Sequence, residues 1–306
     1  MKTKFEEIVA VDKIGATDNP IAMNDLLYKA SNESLRPTSE DKKRTLLLCI
    51  DMQNDFMENG SLAVPNSHGD VERLTRWTYE NMENISKIAF SIDTHQPFQI
   101  FHPSWWVDEN GNNPPPFTII SLDDLNKGKW KAVIKPIWSR EYVNNLEKQG
   151  NYQLCIWTYH CIQGTFGHAL ENQFANMVYF HSVVKKSVAT RMVKGFDPRT
   201  EMYGILKAEY DPQNKVNIEF LNKLKEYDAI VIAGEAKSHC VRRSIDQILE
   251  YYEDDVDTTK KIYILEDCMS PITGFEDETK KAFEEFKTKY KVNLKQSTNF
   301  KLEDVL

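Results

Sequence analysis

Along most of the 306-residue chain, short apolar runs alternate with longer stretches whose apolar residues recur at helical spacing. "TLLLCI" (45–50), "IAFSID" (88–93), "QLCIW" (153–157), "DAIVIAG" (228–234) and "KIYILED" (261–267) have the length and composition of buried strands. Between them Val71, Leu74, Trp77, Met82 and Ile85 recur at roughly helical intervals. Ile218, Leu221 and Leu224 do the same, followed by Val241, Ile245, Ile248 and Leu249. This alternation predicts an α/β fold of three layers (αβα), in which a mostly parallel, doubly wound sheet lies between helices. Such sheets bind ligands beyond the carboxyl ends of their strands, where the winding reverses.

Two stretches depart from the pattern. Residues 1–40 are mixed and weakly periodic, which predicts an N-terminal extension to a single domain over 41–306. Residues 96–150, with "GNNPPP" at 111–116, are too long for an ordinary connection and read as an insertion or lid.

Composition narrows the partners. No apolar run approaches the roughly 18 residues of a membrane span, and the opening "MKTKFEEIVAVDK" lacks the apolar core of a signal peptide, so no membrane association and a cytoplasmic location are expected. The net charge of −8 is spread through mixed-sign segments without a basic stripe, which disfavours nucleic acid and suits a small uncharged substrate. The five cysteines are odd in number and few for the length, so free thiols are expected.

One of them, Cys240, falls where the run 228–234 gives way to the helical pattern from Val241. Unpaired N–H groups and the helix dipole at such a place favour a thiolate, whereas a thiol at a strand end also serves as a small core residue. A nucleophile needs a base and an orienting charge besides. Asp51, directly after the first run, is a carboxylate at a strand end, a position that also suits a helix cap. Lys194 follows another short apolar stretch, and taken alone reads as a solvated surface residue.

In combination, "DMQNDF" (51–56), "KGFDPRTEMYG" (194–204) and "GEAKSHC" (234–240) resemble, in that order, the three catalytic blocks of the isochorismatase-like cysteine hydrolases, the nicotinamidases above all. The resemblance covers most of residues 45–275 and implies a catalytic triad of Asp51, Lys194 and Cys240. Lys185 and Lys186 compete for the lysine role but lack the following Gly and Tyr. It further implies a cis peptide between Glu235 and Ala236, and an oxyanion hole built from the N–H groups of Ala236 and Cys240.

"DTH" supplies Asp93 and His95, and "WTYHC" supplies His160. A carboxylate and two imidazoles make an open site for Zn²⁺, Fe²⁺ or Mn²⁺, zinc first among them. In the nicotinamidases this set is a metal site that takes the pyridine nitrogen of the substrate. His102 varies in spacing among relatives and is left outside the set. Phe56 and Trp157 match positions that flank the pyridine ring. Phe101, Trp105 and Trp106 receive no role, and Cys161 reads as structural because it runs into a Gly-containing loop rather than a helix.

The resemblance thus implies an amidohydrolase that cleaves a small carboxamide through a cysteine thioester, nicotinamide to nicotinate and ammonia in the first instance. Another small amide or ureido compound is the alternative substrate, and a noncatalytic scaffold or a redox-sensing thiol are the alternatives in kind. Homo-oligomerisation is common in the family. Two departures stand out: Thr158 replaces the proline usual after the tryptophan, and 96–150 exceeds a compact nicotinamidase.

Overall fold

The computed structural model, which describes residues 1–150 and 152–306, has six parallel strands in its central sheet. In chain order these are Thr45–Ile50, Lys87–Asp93, Thr190–Lys194, Ala229–Gly234, Ile262–Leu265 and Asn293–Lys295. They lie side by side as sixth, fifth, fourth, first, second, third. The first and fourth strands lie at the middle of the sheet and are buried throughout, and their sequences are almost wholly apolar. From the first strand the chain winds outward through the second and third, then returns to the fourth on the other side. The winding therefore reverses between the first and fourth strands, which opens a crevice at their carboxyl ends.

Helices flank the sheet in two groups. Ser67–Glu80 packs against Asn172–Val184, which also carries Met23–Ser31, while Arg242–Tyr251 packs against Glu276–Tyr290. Val71, Leu74 and Trp77 form the buried stripe of the helix Ser67–Glu80, but that helix stops before Met82 and Ile85, which enter the core from the turn and loop beyond. Ile245, Ile248 and Leu249 are buried on Arg242–Tyr251, each contributing about 1.5–3 kcal/mol of apolar burial.

The run "QLCIW" is not a strand of this sheet. Only Leu154–Cys155 is extended, and it pairs antiparallel with Ile119–Ile120 in a separate two-stranded ribbon. The place beside the second strand belongs instead to Thr190–Lys194. As an edge strand it buries Met192 and Lys194 and exposes Arg191 and Val193, so its sequence alternates and does not read as a buried run. The opposite edge, Asn293–Lys295, is three half-buried residues and left no sequence signal.

Near the amino terminus Phe5, Ile8, Leu26 and Ala30 share an apolar cluster with Met177, Phe180 and Val184. Within 96–150, Phe101, Trp105, Trp106, Tyr142 and Leu146 build a second cluster with Leu154, Ile156 and Trp157, beside the carboxyl end of the sheet.

Candidate active site

Parallel register assembles the site from strand ends. Asp93 lies directly beside Lys194 at the ends of the second and third strands, and Ile50 beside Gly234 at the ends of the first and fourth. Asp51 leaves its strand with a left-handed backbone (φ 45°), a conformation costly for a residue with a Cβ and found mostly where function holds it. Ser91 fixes it from the second strand: the Asp51 N–H donates to Ser91 Oγ at 2.9 Å, and that hydroxyl donates to Asp51 Oδ1 at 2.6 Å.

Lys194 stands at the centre. Its Nζ lies 2.8 Å from Asp51 Oδ2, 3.1 Å from Asp93 Oδ1 and 3.7 Å from Cys240 Sγ, and it donates to the Met202 carbonyl at 3.1 Å. Asp51, Asp93, Lys194 and Cys240 are all buried. Burial disfavours the ammonium, but Asp51, Asp93 and Cys240 outweigh it and raise the lysine well above its ordinary pKa. Burial raises the Asp51 carboxyl, with the Lys194 charge opposing. The Cys240 thiol is raised well above its ordinary range, first by burial and then by the carboxylates, again with Lys194 opposing.

Burial and the neighbouring carboxylates thus oppose the thiolate that a helix start favours. Cys240 itself sits in a single π-helical turn, Lys237–Val241, and the α-helix begins only at Arg242. Such turns recur at functional sites because they re-aim side chains out of the helical ladder.

The second constellation meets the first at Asp93. His95 Nε2 lies 2.9 Å and His160 Nε2 3.9 Å from Asp93 Oδ2, and the three ligand atoms fall within 4.8 Å of one another. Each imidazole has its other nitrogen on a carbonyl: His95 Nδ1 is 3.1 Å from the Gly195 oxygen and His160 Nδ1 2.8 Å from the Thr158 oxygen. Protons placed on Nδ1 by those carbonyls leave two Nε2 lone pairs converging with a carboxylate oxygen, a donor set that suits a divalent cation. His160 is held down to about 4, chiefly by burial and then by His95. His102, wholly buried with neither ring nitrogen partnered among the described residues, lies outside this trio.

Gln53 and Asp55 of the first block explain its remaining polar letters. Gln53 pairs with the Asp93 backbone in both directions, accepting its N–H at 2.7 Å and donating to its carbonyl at 2.9 Å. Asp55 Oδ2 accepts the Cys161 N–H at 2.6 Å, which fixes the loop that carries His160. Thr158 also pins that loop, donating from Oγ1 to the Ser61 carbonyl at 2.8 Å.

A narrow, mostly apolar cleft opens above Cys240. Phe56, Trp157 and Ala236 line it together with Asp93, His95, His160 and Cys240, whereas Asp51 and Lys194 are not among its walls and reach it through Cys240 and Asp93. Phe101, Glu201, Tyr203 and His239 also line it. Phe101, given no role from sequence, stands edge-on to His95 with ring centroids 4.9 Å apart. The Glu235–Ala236 peptide is cis, as the resemblance implied. Cys161 packs in an apolar cluster with Phe56, Val64 and Ala236, and Lys185 pairs with Asp41 at 3.0 Å, ahead of the first strand at the other end of the sheet.

No family model matches the chain. A nicotinamidase of Escherichia coli (strain K12) is 25% identical over 210 residues, covering 67% of this chain and 76% of the relative. A yeast nicotinamidase bound to the inhibitor nicotinaldehyde superposes with a TM-score of 0.57 at 19% identity, covering 82% of this chain and 99% of that one. A nicotinamidase/pyrazinamidase of Acinetobacter baumanii gives 0.54 at 18% identity, with 85% and 99% covered. The chain has the isochorismatase-like hydrolase fold. Its sequence is similar to that of a nicotinamidase over 67% of its length.

Proposed function

We propose that the protein is an amidohydrolase that converts nicotinamide to nicotinate and ammonia through a thioester on Cys240. The observation that carries this reading is the reach of one buried ammonium, Lys194, to Asp51, Asp93 and Cys240 at the floor of an aromatic cavity. Phe56 and Trp157 both line the cleft beside Cys240, which suits a flat ring whose carboxamide is directed at the thiol.

In the first half-reaction Cys240 Sγ attacks the carboxamide carbon as its proton passes to Asp51. Burial makes Asp51 a stronger base than a solvated carboxylate, and Lys194 offsets the charge of the group throughout. The Ala236 and Cys240 N–H groups serve the oxyanion; that of Ala236 has no protein acceptor among the described residues. Asp51 returns the proton to the departing nitrogen, and ammonia leaves. In the second half Asp51 takes a proton from water as its oxygen attacks the thioester carbon, and the sulfur recovers a proton as nicotinate is released.

Asp93, His95 and His160 would hold a divalent metal, for which zinc is the first assignment, and such an ion would supply a Lewis acid for a ring nitrogen lone pair. Purified protein incubated with nicotinamide should yield equimolar nicotinate and ammonia. A folded, metal-loaded protein that leaves nicotinamide intact while cleaving another small amide or a ureido compound would reject this substrate.

A further inference from the structure

Glu201 is a buried acid on the cavity wall that no step of the chemistry above uses. Three donors converge on its carboxylate. Oε1 accepts the Trp157 indole N–H at 2.8 Å and the Tyr203 hydroxyl; Oε2 accepts the Tyr142 hydroxyl at 3.0 Å. Trp157 and Tyr203 are walls of the substrate cavity, and the Trp157 N–H also points at the Tyr203 oxygen, 3.1 Å away. Their rings stand nearly perpendicular, at 86° with centroids 6.4 Å apart, so they form a corner of the ring slot with the carboxylate behind it.

Tyr142 does not line the cavity. It belongs to the helix Pro136–Gln149, within the stretch 96–150 whose sequence reads as an insertion. Fully buried, it grips the segment after Lys194 twice, since its hydroxyl also accepts the Glu201 N–H at 3.0 Å. Ser139, Val143 and Leu146 anchor the same helix face in the apolar core. The chain of contacts is continuous from the inserted helix through Tyr142 and Glu201 to the slot walls.

We infer that Glu201 is the positioning residue of the substrate slot, and that the helix Pro136–Gln149 sets the slot's geometry through Tyr142. Glu201 is the apt hub, because its two oxygens take hydrogen bonds from side chains of three separate segments. Held this way, Trp157 keeps a fixed distance from Phe56 across the slot, and a loose wall would weaken ring binding while leaving the thiol, Lys194 and Asp51 in place. This rests on the amidase reading, since the slot is defined by its ring substrate.

The test is steady-state kinetics on nicotinamide for the wild type, Glu201→Ala, Glu201→Gln and Tyr142→Phe. For Glu201→Ala, KM should rise about tenfold with kcat within about twofold, because binding before chemistry is what the walls supply. Tyr142→Phe, which removes one hydroxyl outside the cavity, should raise KM about threefold in the same sense. Glu201→Gln should recover most of the affinity, since its amide oxygen accepts from Trp157 and Tyr203 and its amide nitrogen donates to Tyr142. An active wild type with KM unchanged in both Glu201→Ala and Tyr142→Phe would overturn this inference and leave the amidase reading intact. Should Glu201→Ala not fold, Tyr142→Phe decides alone. A folded, metal-loaded wild type without ammonia release would overturn both.

Discussion

The Lys194 ammonium stands 3.1 Å from Asp93 Oδ1, and the other oxygen of that carboxylate faces His95 and His160. One side chain therefore belongs to both the charge network around Cys240 and the proposed metal site. Asp93→Asn should lower metal affinity at least about tenfold and reduce kcat, whereas His160→Ala should lower metal affinity and spare the Lys194 contacts. Metal analysis after dialysis, with the alkylation rate of Cys240 measured beside it, separates the two. Alkylation should change in Asp93→Asn and hold in His160→Ala.

Removing the shared cation leaves two buried carboxylates without their counter-charge. Lys194→Ala should therefore cost about 3–5 kcal/mol of stability in denaturant unfolding as well as turnover. A variant as stable as the wild type would show that the pair is better solvated than its burial indicates.

Gly195 follows Lys194 with φ +75°, and a Cβ there would come within 2.4 Å of Asp93 Oδ1 and 2.7 Å of His95 Cε1. Gly195→Ala should thus displace two metal ligands at once and add about 1–3 kcal/mol of backbone strain. Calorimetric titration with Zn²⁺ should show weaker binding, and thermal melting a lower midpoint.

Burial pushes the Glu201 carboxyl up to about 7 despite its hydrogen bonds to Tyr203, Trp157 and Tyr142. Its folded pKa lies above the unfolded value, so the folded protein retains a proton that the unfolded chain has released. The stabilisation from that proton is complete below the unfolded pKa and is lost as pH rises through the folded one, by up to about 3 kcal/mol. Glu201→Gln carries no such term. The melting temperature of Glu201→Gln minus that of the wild type should increase between about pH 5 and about pH 8. A difference independent of pH would mean that the carboxyl ionises as freely folded as unfolded.

The central strands were legible because a strand buried on both faces must be almost wholly apolar, as 45–50 and 229–234 are. Edges are not bound by that rule. Thr190–Lys194 carries the lysine of the site, yet alternates like a surface strand, and 153–157 is apolar because it packs in the second cluster rather than the sheet. Cys240, Asp51 and Lys194, which the fold brings together, were selected through their blocks, while the supporting groups were not. Ser91 had a usable signal, a hydroxyl in an apolar strand two residues before Asp93 and therefore on the same face. Glu201 had none: a glutamate between a threonine and a methionine looks solvated until the fold brings Tyr142 and Trp157 to it.

The most direct measurement is ammonia release from nicotinamide by wild type and Cys240→Ala, purified, metal-loaded and assayed side by side. The account predicts turnover in the wild type and a loss of at least about a thousandfold in the variant, with its fold retained. Undiminished turnover in Cys240→Ala would contradict the covalent route and every role assigned around that sulfur.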